Sequence, residues 1–519
     1  MKRTDFYWIL PAALALGAIM ALVSPGAFLP GWLAFSALSL LSLVALKASH
    51  RLTGSAKSLG WILALAFALR LGLGLGASLL EPRIGYDNEV NKAGYLFTDA
   101  FTRDGQAWEL AASSNSLLSA FDEKLVSDQY GGMLGLSALT YRTLSPDAHR
   151  PLLVTLLAAL FGALGAAFVW GAGKRIRDES FAQNAALIFA FFPEAILLGA
   201  SQMREPFLMS LIAIAFYWLV EWQATRARLP WLWIGLALLG LLLISPGFIL
   251  VTLVVAAGWL YFSNRRIPWQ AIVGALAVFA LAFVVLTLSW SSLVAAQSGP
   301  LGVMGNWARE TVKWNQKLIE GSSGIVQLLF QNFPKGLQLP FIAIYGLLQP
   351  VLPAAIFEPS TPFWRILGII RAVGWYVMLP FLAYAPFAAA KMDGEQKRRW
   401  LWLSLGIWLW ALIASLRGGA DQWDNPRYRV ILLGWQALVV AQTFLALKKA
   451  QGRWLLRILG VEAILLLFFS HWYMYRYLNT GFNIGIRNTI GLAIGVSILF
   501  VVADWLIEKW KARTGTAND

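Results

Sequence analysis

Long apolar runs separated by short polar connections recur from one end of the chain to the other. An α-helix rises 1.5 Å per residue and a bilayer's hydrocarbon core is about 30 Å thick, so about 20 apolar residues make one crossing. About 14 runs fit that measure. The first six are Phe6 to Val23, Leu29 to Leu46, Leu59 to Leu79, Pro151 to Trp170, Phe181 to Leu198 and Pro206 to Val220. Pro230 to Ile244, Phe248 to Phe262 and Ala271 to Trp290 follow. The last five are Phe363 to Ala389, Trp400 to Leu416, Tyr428 to Leu447, Leu455 to Tyr473 and Thr489 to Trp505. The pattern predicts an all-α polytopic membrane protein with two long connections, 81–150 and 291–362.

Composition agrees. Of the 519 residues 58% are hydrophobic and 13% charged, and the mean hydropathy is +0.63. A soluble domain carries roughly 25% charged residues, so an ordinary globular enzyme is excluded. The absence of cysteine removes disulfides, thiolate nucleophiles, iron–sulfur clusters and Cys-type zinc sites. His50, His149 and His471 are too scattered to form a metal motif, so a metal would rest on carboxylates. The net charge of +15 does not point to nucleic acid, because the Lys and Arg sit in short runs between apolar segments, where they set topology.

With Lys2 and Arg3 in the cytoplasm, every second connection is expected to be basic. Those connections hold Lys47, Arg51 and Lys57; Lys174, Arg175 and Arg177; Arg226 and Arg228; and Arg265 and Arg266. Lys391, Lys397, Arg398 and Arg399 come next, then Lys448, Lys449, Arg453 and Arg457, and finally Lys509, Lys511 and Arg513. The expected arrangement is a multi-pass protein of the plasma (inner) membrane with both termini cytoplasmic. It requires that Leu339 to Phe357, which Pro340, Pro350 and Pro353 interrupt, form a re-entrant or surface-lying hairpin; an ordinary span is the competing reading. Phe6 to Val23 reads as a retained first helix rather than a signal peptide, since its apolar run is long and no small-residue cleavage site follows. The chain then divides into two N-terminal helices (1–58), a core with its outer loop (59–290, loop 80–150), a second outer loop (291–362) and the C-terminal helices (363–519).

Four outer clusters carry candidate chemistry. Ten of the 27 acids lie in 81–150. Within it, Tyr95 to Ala111 has helical spacing: Asp104, Trp108 and Ala111 share a face, and Asp99 meets Arg103 one turn on. An amphipathic helix on the membrane surface would hold Asp104 at headgroup depth as a general base, whereas each acid taken singly reads first as solvating an exposed loop. The second cluster is Ser127-Asp128-Gln129-Tyr130-Gly131-Gly132, either a turn close to a ligand or a helix start with Asp128 as N-cap. The third, Met203-Arg204-Glu205-Pro206, places an acid at the positive end of a helix, as a site or as a capped turn. In the fourth, Arg427-Tyr428-Arg429, two guanidiniums can grip a lipid phosphate bidentately or act as snorkelling anchors. Arg371 and Arg70 fall inside spans, where a charge marks function unless it is paired.

These motifs resemble those of the GT-C superfamily of membrane glycosyltransferases, in the branch of protein O-mannosyltransferases and aminoarabinose transferases. Asp104, Trp108 and Ala111 take the places of that family's acid, aromatic and small residue on a surface helix of the first outer loop. Glu205 in Met-Arg-Glu-Pro-Phe matches its acid at the head of a later helix, and Arg427-Tyr428-Arg429 its Arg-Tyr-Arg. The likeness covers roughly Leu59 to Val220 and the Arg-Tyr-Arg segment. Gly105 stands where a second acid is expected, two spans precede the family's first helix, and Asp-Gln-Tyr-Gly-Gly is not a family motif.

The resemblance implies transfer of a sugar, with inversion, from a polyprenyl-phosphate donor to a glycan, lipid or protein acceptor on the outer face. It implies a carboxylate base drawn from Asp104, Asp99, Asp128 and Glu205, and a donor phosphate held by Arg427, Arg429 and Arg371 with Arg204 and Tyr130. No cofactor is required, though Asp99, Asp104 and Asp128 offer oxygen ligands to a divalent cation. Two other classes compete. A flippase or transporter would place charges and paired broken helices near the midplane, and no repeat is visible. A polysaccharide polymerase or ligase would depend on Arg and His in its outer loops, whereas acids dominate the first loop here.

Overall fold

The computed structural model describes residues 3–121, 130–263, 334–418, 421–449 and 453–515, which form helices and no strand. Among the described residues ten helices are long and apolar enough to cross a membrane, eleven if one bent pair counts as a span. The protein is therefore an all-α, multi-pass membrane protein. Of the 14 runs expected, ten coincide with these helices, and Phe181 to Leu198 is the bent pair. Pro230 to Ile244 and Phe248 to Phe262 are shorter apolar helices, and Ala271 to Trp290 lies outside the described residues.

In chain order the helices are α1 Arg3–Val23, α2 Phe28–Thr53, α3 Lys57–Ile84, α4 Glu89–Lys92, α5 Thr98–Ala112, α6 Gly132–Leu144 and α7 Leu152–Ile176. Next come α8 Glu179–Phe191, α9 Pro193–Gly199, α10 Glu205–Thr225, α11 Leu229–Ile244 and α12 Gly247–Tyr261. After them lie α13 Lys335–Leu348, α14 Leu352–Phe357, α15 Pro362–Ala390, α16 Gly394–Gly418, α17 Asp424–Arg429, α18 Leu433–Lys449, α19 Arg453–Leu478 and α20 Ile486–Gly515. Leu339 to Phe357 is not one continuous helix. It divides between α13 and α14 at a cis Gln349–Pro350 bond.

The chain forms two compact units, Met1–Ser298 with Val430–Ala441, and Gly299–Arg429 with Gln442–Asp519. In the first unit α7 is the central helix, buried along nearly its whole length against α2, α3, α8 and α10. Helices pack this closely in lipid where small residues let backbones approach, since no hydrophobic gain drives one apolar helix onto another. Gly173 shows the constraint, because a Cβ there would lie 2.9 Å from the Cα of Ala182 on α8.

The bend between α8 and α9, 56°, follows from Pro193. Proline has no N–H to offer the Phe189 carbonyl four residues back, so the ladder opens there. Arg70 on α3 closes the gap. Its guanidinium donates to the carbonyls of Ala190 (2.9 Å) and Phe189 (3.4 Å), and to Ala66 on its own helix (2.9 Å). The charge that lipid would penalise is thus placed by backbone oxygens left over at a helix break.

Candidate functional site

Helix α5 begins at Thr98, three residues after the start expected from spacing, and buries Ala100, Arg103, Asp104, Ala107 and Leu110 on one side. Arg142 on α6 seals its C-terminal end by donating to the carbonyls of Leu110 (2.6 Å), Ala111 (3.3 Å) and Ser113 (3.1 Å). Those are the oxygens that a helix end leaves without intrahelical donors. Arg103 reaches the other way, donating to the Gln202 carbonyl in the turn before α10. Helix α5 is in this way tied through Arg103 and at its C-terminal end to other parts of the first unit.

Asp104 sits at the centre of this construction with 1% of its side chain exposed. Its carboxylate accepts the phenol of Tyr95 at 2.6 Å, the phenol of Tyr141 at 2.5 Å and Nε2 of His149 at 2.8 Å. Burial, reinforced by the charge of Asp104, pushes both phenols well above their ordinary value of 10, so they stay protonated and act as donors. A buried carboxylate held by three donors is stable where a bare one would not be.

His149 differs from its partners in exposure, with 29% of its side chain accessible. Trp108 stacks on the imidazole with centroids 5.3 Å apart and planes 16° from parallel, and Tyr141 meets it edge-on at 5.1 Å. The turn that carries His149 is braced by Arg150, which is fully buried and forms a two-pronged pair with Asp147 at 2.7 and 2.8 Å. Arg150 also donates to Ser145 Oγ (2.6 Å) and to the Ala27 carbonyl between α1 and α2 (3.0 Å). The Arg150 hydrogen bond holds the Asp147 carboxyl below the usual carboxylate range. The two N-terminal helices therefore contribute to the support of the site.

The first three sequence clusters meet around α5. The Arg204 guanidinium lies 5.9 Å from the centroid of the Tyr130 ring, and Glu205 is fully buried in the first turn of α10 with Pro206 behind it. Gly131, at φ +74°, is the N-cap of α6 in place of the expected Asp128, which lies outside the described residues. A Cβ at Gly131 or Gly132 would collide with the backbone carbonyls of Ala120 and Leu243, so these glycines are required by the protein's own backbone. Asp99 is exposed in the first turn of α5. Tyr95 also lines a cavity of about 190 Å³ bordered by Ser24, Ser78, Thr155, Ser201 and Gln202. Among the described residues no three His, Asp or Glu side chains converge as a metal site, and the donors around Asp104 are O–H and N–H groups.

Arg371, Arg427 and Arg429 belong to the second unit, and all three are buried. Arg371 lies over the Trp423 ring at 4.0 Å and donates to the Gln422 carbonyl at 3.1 Å. Arg429 lies over the Trp375 ring at 3.3 Å and donates to the carbonyls of Leu347 (3.3 Å) and Gln349 (2.8 Å), at the joint of α13 and α14. Arg427 pairs with Asp424 at 3.2 Å and with the Tyr428 hydroxyl at 3.1 Å. Residues this enclosed are not snorkelling anchors, whose charged ends lie in water. The same unit holds a cavity of about 700 Å³, apolar apart from Glu462 and the tyrosines 345, 376 and 473.

Spacing along the sequence picked out Asp104, Trp108, Arg204, Glu205 and the three arginines. It did not find Tyr95, Tyr141 or His149 as partners of Asp104. The last two lie 37 and 45 residues away, and only the packing of α5 against α6 and the 145–150 turn unites them. No family model matches the chain, and a search of curated proteins finds no match.

Proposed function

We propose that the protein transfers a glycosyl group from a polyprenyl-phosphate donor to an acceptor hydroxyl at the outer face of the membrane. The observation that carries this reading is the buried Asp104 carboxylate, held by three donors of which one, the His149 imidazole, is part-exposed. That is a base and its orienting partner, set in a connection between apolar spans. In this reaction the pair draws the proton from the acceptor hydroxyl while the acceptor oxygen attacks the anomeric carbon, and the polyprenyl phosphate departs from the opposite side with inversion.

Three further features support the reading. The polar cavity beside Tyr95 is lined by hydroxyl and amide groups suited to a small polyhydroxylated ring. Arg371, Arg427 and Arg429 supply guanidinium chemistry for a phosphate leaving group. The apolar cavity of about 700 Å³ suits part of an isoprenoid chain. A transporter is less well supported, because the first unit's buried mid-span arginine, Arg70, is occupied by carbonyls at a helix break.

The test is transfer of radiolabel from undecaprenyl-phosphate-linked mannose, glucose or aminoarabinose in membranes containing the protein. Asp104→Asn keeps the shape of the side chain and is expected to lower turnover about 100-fold or more with undecaprenyl phosphate binding unchanged. Wild-type turnover in that variant would reject the reading.

A further inference from the structure

We infer that His149 is the group that accepts the proton, and that Asp104 is a positioning residue behind it. This inference rests on the glycosyl-transfer reading and divides the work of the pair.

The geometry separates the two residues. Three of the positions around the Asp104 carboxylate are filled by Tyr95, Tyr141 and His149, and 1% of its side chain is exposed. The position left on Oδ1 is buried with the rest of the carboxylate, so a substrate hydroxyl reaches Asp104 less readily than it reaches the part-exposed imidazole. His149 has 29% of its side chain exposed, and its Nε2 is the ring nitrogen engaged with Asp104. An imidazole that donates its Nε2–H to a carboxylate keeps the lone pair on Nδ1, which has no protein partner among the described residues. The ring plane is fixed by Trp108 on one side and the edge of Tyr141 on another, so Nδ1 is held in one direction.

The titratable and charged groups on the surrounding elements are Tyr95 before α5, Asp99, Arg103, Asp104 and Glu109 on α5, Tyr141 and Arg142 on α6, and Asp147 and Arg150 in the turn itself. Of these, Asp104 is the one charged group bonded to the imidazole. The carboxylate selects the tautomer that is a base at Nδ1 and offsets the positive charge that appears when the ring is protonated.

The acceptor O–H bond breaks and its proton goes to Nδ1 of His149. The acceptor oxygen forms a bond to the anomeric carbon, the bond from that carbon to the phosphate oxygen breaks, and the electron pair leaves with polyprenyl phosphate. Water then removes the proton from the imidazolium.

The chain has three histidines, so the ring nitrogens can be followed by 15N NMR in protein labelled at histidine and held in nanodiscs. The neutral ring of His149 is expected to show a protonated Nε2 and a bare Nδ1, and Asp104→Asn is expected to mix the two tautomers. In the transfer assay, His149→Gln is expected to lose about 100-fold in turnover and to lose the acid limb of the pH profile, with undecaprenyl phosphate binding retained. Added imidazole is expected to restore turnover to His149→Gly, which a purely structural role would not allow. Transfer that is indifferent to His149 and keeps its acid limb overturns the inference alone and makes Asp104 the base. Absence of transfer by the wild-type protein overturns the underlying reading as well.

Discussion

Asp147 stands two residues before His149, and its pairing with Arg150 sets the shape of the turn from which the imidazole projects. The Arg150 guanidinium holds the Asp147 carboxyl below its ordinary 3.8, so this pair is present at every pH above that value. It is lost as the pH falls through the lower folded value, because the protonated acid no longer attracts the guanidinium. Asp147→Asn is therefore expected to unfold at a lower temperature than wild type at pH 7, with the difference shrinking below pH 3.8; a constant difference across the acid range would contradict the assignment. Tyr141→Phe removes one of three donors to Asp104 but keeps the ring that meets His149. It is expected to lower transfer about tenfold, less than Asp104→Asn, because two donors remain. The carboxylate itself was legible in the sequence, since helical spacing singled out Asp104 with Trp108. Its phenol and imidazole partners were not, because a side chain's choice of donors depends on which helices lie alongside, and a periodicity read within one helix carries no such information.

At the scale of the element, the break between α8 and α9 shows how a local rule and a distant residue combine. Pro193 forces the interruption, and Arg70, more than 100 residues earlier, supplies the donors that the Phe189 and Ala190 carbonyls lose. Arg70→Leu fits the apolar surroundings yet leaves two buried carbonyls without a donor. It is expected to destabilise the first unit by roughly 3 kcal/mol, read as a lower unfolding midpoint in detergent, with Arg70→Lys intermediate. A midpoint equal to wild type in the leucine variant would show that the carbonyls are satisfied in some other way. The sequence read Phe181 to Leu198 as one span on its overall apolar character, although Pro193 and Glu194 within it mark where the helix turns. Arg70 stood out as a charge within a span, but its partners are backbone oxygens, which a sequence does not distinguish from one another.

At the scale of the whole molecule, ten candidate spans among the described residues were visible because crossing a bilayer demands a length of apolar sequence that little else requires. The shorter helices α11 and α12 do not disturb the expected sidedness, since a pair of helices returns the chain to its starting side whether both cross or neither does. Single cysteines in this Cys-free chain test each side separately: Glu109→Cys and Thr480→Cys are expected to react with a membrane-impermeant thiol reagent from outside, and Lys397→Cys only after the cytoplasmic face is opened. The donor phosphate gives the last test. Arg371 and Arg429 each have a guanidinium face against a tryptophan, which orients a planar fork that lysine cannot reproduce, and Arg427 has Asp424 and Tyr428 beside it. If these groups receive the phosphate, the double variant Arg427→Ala, Arg429→Ala loses most of its binding of undecaprenyl phosphate, while Arg371→Lys retains the charge and recovers binding only in part. Arg429 also donates to the carbonyls at the joint of α13 and α14, so loss of binding counts only if the variant unfolds near the wild-type temperature. The Arg427→Gln variant leaves those carbonyl bonds in place and is expected to weaken binding without that complication. Undiminished binding in the folded double variant would make the three arginines supports for the second unit and leave the phosphate to other residues.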